Sequence, residues 1–180
     1  MARSGIIGVK AHVARLKKLR GPEMTREVGS ALFAAGEIIQ REAQISITAG
    51  AVSGAKHRPS APGKPPNNDT GHLAGNIETV QKAPLVVEVS SNAEYAAIHE
   101  FGGTINHSGG TPYFMRDGKP VFVSNSGQGA HHALPKTKPH DIKVPARPYM
   151  APARDAKLKE AQKLVQRAVN RVVKRSKSTE

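Results

Sequence analysis

The chain has 180 residues, enough for one domain of ordinary size or two small ones. It holds four Phe, three Tyr, no Trp and no Cys, so the core must come from Val, Ile, Leu and Ala, and disulfides, thiolate metal sites and cysteine nucleophiles are excluded. The net charge of +13 sits at the ends: residues 1–20 carry six basic side chains and no acid, and residues 151–180 nine basic against three acidic, leaving the body nearly neutral. Such ends meet nucleic acid or an acidic protein surface, or simply aid solubility.

Residues 1–21 read as a basic N-terminal arm that Gly21-Pro22 separates from a single domain over 22–175. The arm is not a signal peptide, because Lys10 and His12 interrupt any apolar run after Ile6-Ile7, and no run approaches the length of a membrane span. Pro22 suits a first helical turn, where its missing N–H is no loss. Val28, Leu32, Ala35, Ile39 and Ala43 then fall on one face of a helix from about 22 to 47. Residues 48–68, with Pro59, Pro62, Pro65 and Pro66, read as a long exposed and mobile loop.

Asp69 or Thr70 is placed to cap a short helix over 71–76, and Gly71 to turn the chain into it. Residues 77–81 and 85–90 alternate as two strands. Residues 92–101 read as a short helix that Gly102-Gly103 ends. Asp117-Gly118 between 113–115 and 121–123 predicts a hairpin. Residues 124–141, rich in Gly, Ser, His and Pro, read as a second mobile loop, and a last strand follows at 142–144. A final amphipathic helix runs from about 152 to 174, with Leu158, Ala161, Val165, Ala168 and Val172 inward, and residues 176–180 form a basic tail. Central strands between long terminal helices predict an α+β fold: a small antiparallel sheet packed by a long N-terminal and a long C-terminal helix, with long mobile loops.

The search for chemistry returns little. His99-Glu100 lacks the second His of a zinc-binding helix, because position 103 is Gly. His107, His131, His132 and His140 lack the spacing of an ordered metal site. No Gly-x-Ser-x-Gly and no phosphate-binding glycine loop is present. No catalytic, cofactor or metal residue is therefore assigned. Lys163, Arg167, Arg171, Lys174 and Arg175 make a basic stripe on the last helix that fits phosphates or an acidic surface. Without interleaved aromatics or a recognition-helix setting it does not read bases, and a solvated helix face is the simpler account.

Three segments together resemble the small morphogenesis proteins of tailed phages, the tail-completion, minor tail or head–tail connector proteins of lambda-like siphophages and prophages. Residues 65–77 are similar to the family's Pro-rich loop and Asp-Thr-Gly, here Asp69-Thr70-Gly71. Residues 95–102 resemble its Tyr-Ala-x-x-x-Glu-Phe-Gly signature through Tyr95, Glu100, Phe101 and Gly102. Residues 145–153 resemble its Ala-Arg-Pro turn through Arg147 and Pro148. The resemblance covers roughly 22–175 and departs from the family between Gly103 and Pro145, where 41 residues stand in place of a commonly shorter stretch.

The resemblance implies a non-enzymatic structural virion protein of the neck or tail, assembled in the host bacterial cytoplasm. It would form a ring, by expectation a hexamer, as head–tail connector or tail-completion protein, contacting neighbouring neck and tail proteins and, non-specifically, passing DNA. The alternative, from charge alone, is a nucleic-acid-binding module acting through its basic termini. In physical terms, Phe101 is expected against the core, Gly102 at positive φ, and Arg147 held between prolines in a salt bridge to Glu100.

Overall fold

The structure is a computed structural model that describes residues 8–123 and 134–177. Two long helices form its spine. Helix α2 (Pro22–Thr48) starts on Pro22 as its sequence requires, and helix α5 (Met150–Lys177) runs antiparallel to it. Three ion pairs along the seam fix that direction: Glu42–Lys157 at 3.3 Å, Glu27–Arg171 at 3.5 Å and Glu23–Arg175 at 3.3 Å. Beneath them the helices interlock through small residues. Ala35 and Ala43 are buried on α2, and Ala153, Ala161, Ala168 and Val172 on α5. Leu158, assigned to the packed face from its spacing, is instead 44% exposed. Its place in the register belongs to the alanines, which let the axes approach.

Residues 9–19, read as part of a basic arm, form helix α1 (Val9–Leu19), which contacts both α2 and α5. No residue of α1 is buried. On the other side of α2 lies the antiparallel hairpin β1 (Ile77–Ala83) and β2 (Val86–Ser91), turning at Pro84-Leu85. Glycine permits its close approach. A Cβ on Gly29 would stand 2.5 Å from the Pro84 carbonyl oxygen, and one on Gly36 would stand 2.7 Å from Cγ2 of Thr79. Gln40 and Gln44 of α2 then donate to the Ile77 carbonyl at 2.8 and 3.4 Å, fastening the start of β1.

The main core gathers where these elements meet short helices α3 (His72–Gly75) and α4 (Ala96–Phe101). Ala43, Ile47, Leu73, Ala74, Ile77, Ala96, Tyr149 and Ala153 form it, and Tyr149 is its largest fully buried side chain, at 1% exposure. The fold is thus α+β as expected, but among the described residues its strands make three two-stranded antiparallel sheets rather than one. Strand β3 (Gly103–His107), where sequence showed only a helix stop, pairs with β6 (His140–Val144). The ribbon continues through a Pro112–Lys136 bridge to a hairpin of β4 (Tyr113–Arg116) and β5 (Lys119–Phe122). Asp117 and Gly118, at φ 52° and 74°, make the predicted turn.

The described parts of residues 103–144 therefore form a separate strand ribbon, an arm. Most of its described strand residues are exposed, including Met115 at 60% and Phe122 at 61%. The described part of the segment read as a loop over 124–141 contains the Lys136 bridge and the start of β6; residues 124–133 lie outside the described residues.

Candidate interaction site

The three segments that carry the family resemblance converge. Glu100, at 9% exposure, closes α4 and faces the first turn of α5. Its Oε2 accepts the backbone N–H of Tyr149 at 2.8 Å and of Met150 at 3.0 Å, and its Oε1 accepts that of Ala151 at 2.9 Å. The first N–H groups of a helix have no partner within it. Here three are satisfied by one carboxylate, and the next residue, Pro152, has none to satisfy. The negative charge also complements the positive end of the helix dipole. The expected salt bridge from Glu100 to Arg147 is therefore absent, because both carboxylate oxygens are committed to backbone.

Arg147 has another role. Its Nε donates to the Ser60 carbonyl at 3.0 Å and its backbone N–H to the His99 carbonyl, so it ties the proline-rich segment to α4. A bond from the Gly63 N–H to the Ala146 carbonyl, at 2.8 Å, and one from the Asn68 N–H to the Ile47 carbonyl, at 3.0 Å, fasten the same segment. Residues 49–68 are irregular except for a short 3-10 turn at Gly54–Lys56, yet they are laid against the body.

Asp69 does not cap α3. Its Oδ1 accepts the Gly54 N–H at 2.7 Å, closing the loop instead. The cap position is Gly71, at φ 84°, and Thr70 offers the His72 N–H only a long 3.4 Å contact. Phe101, expected in the core, is 79% exposed. The reversal follows from Glu100: with the carboxylate turned inward to α5, the next side chain on so short a helix points out. Gly102 holds φ 71° as expected, and a Cβ there would stand 2.8 Å from the Ala146 nitrogen. Pro148 is half-buried and leads directly into the buried Tyr149.

These contacts wall a cleft of about 540 Å³. Arg147, His72, Tyr95, His99 and Asp69 line it, with Pro59, Pro66 and Pro145 as stiff walls. The Tyr95 ring stands edge-on to His99, centroids 5.5 Å apart, and 5.9 Å from His72. Burial, reinforced by the Arg147 charge, pushes the His99 imidazole below its ordinary value. Burial raises the Tyr149 phenol. The histidines have no separate signal in sequence, since His72 and His99 lie far apart and meet only through the fold.

The C-terminal stripe is only partly available. Arg171 and Arg175 are engaged by Glu27 and Glu23, while Lys163 and Arg167 are exposed. Arg175 and its neighbours hold the Glu27 carboxyl below the usual range. On the arm, His107 and His140 stack at 5.0 Å, while His131 and His132 lie outside the described residues. Among the described residues no group of three or more His, Cys, Asp or Glu is placed to hold a metal, and no helix is long and apolar enough to cross a membrane.

A family model, HK97-gp10-like, described as "Bacteriophage HK97-gp10, putative tail-component", matches residues 10–102, just over half the chain. The match runs from α1 through α4 and ends where the arm begins. No curated protein and no solved structure matches the chain.

Proposed function

The chain belongs to the HK97-gp10-like family of bacteriophage tail components, and from that premise we propose that it is a structural, non-enzymatic protein of the neck or tail that forms a ring and joins or completes the tail. The observation that carries the reading is the arm. A two-stranded ribbon is marginal alone in water, and the β4–β5 hairpin of this one exposes Phe114 and Val121 on one face and Met115 and Phe122 on the other. Apolar surface of that kind on an extended element marks a protein contact. A contact between unlike surfaces of identical subunits closes into a ring when its rotation divides a full turn, and a hexamer fits a sixfold tail tube.

In this reading the seam of α2 and α5 keeps the body rigid while the arm reaches a neighbour. Lys163 and Arg167 supply the surface for passing DNA or an acidic protein face. Sedimentation of the purified protein with and without residues 103–144, joined to cryo-electron microscopy of isolated tails, tests the proposal. Closed rings that contact neighbours through the arm support it. A protein absent from tails at every stage of assembly, or rings unaffected by loss of the arm, overturns it.

A further inference from the structure

We propose that the cleft beneath α3 and α4 is a binding site for a carboxylate-bearing peptide segment, in which Arg147 is the anchoring cation. The cleft carries more positive capacity than its own acid can meet. Arg147 and Lys143 line it against Asp69 alone. The Oδ1 of Asp69 already accepts the Gly54 N–H. Arg147 is half-buried and fixed through Nε to the Ser60 carbonyl, and through Nη1 to the Pro145 carbonyl at a long 3.5 Å. It has no carboxylate partner among the described residues. A guanidinium held in this way presents its outer N–H groups as a preset fork, the geometry that recognises a carboxylate.

A second, independent observation lies beside it. Nδ1 of His99 and the hydroxyl oxygen of Ser60 are both buried with no hydrogen-bond partner, and both residues line the same cleft. Buried polar atoms are nearly always paired, so two orphans sealed in the cleft wall mark where a small side-chain shift on binding would let a partner complete them. The remaining wall is apolar and stiff: Ile47, Leu73, Val144 and the prolines. That combination fits an extended peptide, with a carboxylate on Arg147 and its backbone or a neighbouring polar group near His99. A volume of about 540 Å³ holds a few residues. It does not admit a duplex, a wide convex cylinder that cannot enter a cleft of this size, so protein rather than nucleic acid is the occupant.

That the peptide belongs to a neighbouring tail protein rests on the assembly reading above; the carboxylate site itself does not. The test titrates the isotope-labelled full chain with the blocked peptide Ala-Glu-Glu-Pro-Ala, followed by NMR at the Arg147 Nε and at the His72 and His99 rings. Ala-Gln-Gln-Pro-Ala, inorganic phosphate and a short DNA duplex serve as comparisons. Saturable shifts at these groups, with the Gln peptide weaker by about tenfold or more, support the site. Arg147→Gln should lower affinity by a similar factor, and His72→Ala, at an exposed position, should weaken binding with the backbone spectrum unchanged.

Equal binding of the Gln peptide, no saturable shift, or shifts from phosphate and DNA but not from the Glu peptide would each overturn it. Tails that still require the chain, beside a cleft that ignores the peptide, would remove this site and leave the assembly role standing.

Discussion

Glu100 and Tyr149, 49 positions apart, are joined by a 2.8 Å hydrogen bond in which the buried carboxylate accepts the backbone N–H that opens α5. The same carboxylate takes the next two N–H groups, so one side chain sets where the C-terminal helix begins and how it leaves the core. Replacing it strands buried donors. Glu100→Ala should cost about 3 kcal/mol and lower the melting temperature by roughly 10 °C, measured by calorimetry. Glu100→Gln should be nearly as costly, because its amide NH₂ meets a donor. A variant as stable as the wild type would contradict the capping role.

The glycines of α2 make a separate prediction. Alanine at an exposed helical position should gain up to about 1 kcal/mol. At Gly29 the added methyl would instead stand 2.5 Å from the Pro84 carbonyl oxygen, so Gly29→Ala should destabilise by roughly 1–3 kcal/mol. Gly36→Ala should be milder, since the nearest atoms are side-chain methyls of Thr79 and Val87 that can give way. Denaturant melts of both variants decide the order.

His99 predicts a pH effect. Burial first, and the Arg147 charge second, place its imidazole below the ordinary 6.5. In the unfolded chain the ring takes a proton at a higher pH than in the fold, so the fold loses stability as pH falls through about 6.5. The loss should level off once the folded ring is also protonated. NMR titration should find the His99 midpoint below the ordinary value, and Arg147→Gln should move it upward. A midpoint at or above the ordinary value would contradict the burial.

On the surface, Glu27 lies against Arg175 and Arg171, with its carboxyl pKa lowered chiefly by the hydrogen bond to Arg175. A lowered carboxyl contributes stability above its unfolded pKa and loses it as pH falls through the folded one. Glu27→Gln should therefore flatten the acid end of a stability profile. The difference should shrink in high salt, since exposed pairs are screened.

Much of this architecture was legible in sequence because it follows from period and punctuation. The spacing of Val28 to Ala43 gave α2, and Asp117-Gly118 gave the tip hairpin. What was not legible depends on partners distant in the chain. Strand β3 has no strand signature of its own and exists through pairing with β6, 37 positions away at its middle (Ile105 with Ile142). Glu100 and Arg147 were recognised as a significant pair, but charge alone suggested a bridge. The deciding fact, three donors freed at the start of α5, appears only when the helix start is placed at Met150. Phe101 was misassigned for the same reason, since turning Glu100 inward turns its neighbour out. The meeting of His72 and His99 in the cleft was invisible because they share no local motif.

Electron microscopy of particles made by a phage lacking only this chain tests the assembly role most directly. The account predicts heads without tails beside free, incomplete tails, with normal particles restored when the chain is supplied in trans. Normal infectious particles in its absence would contradict it.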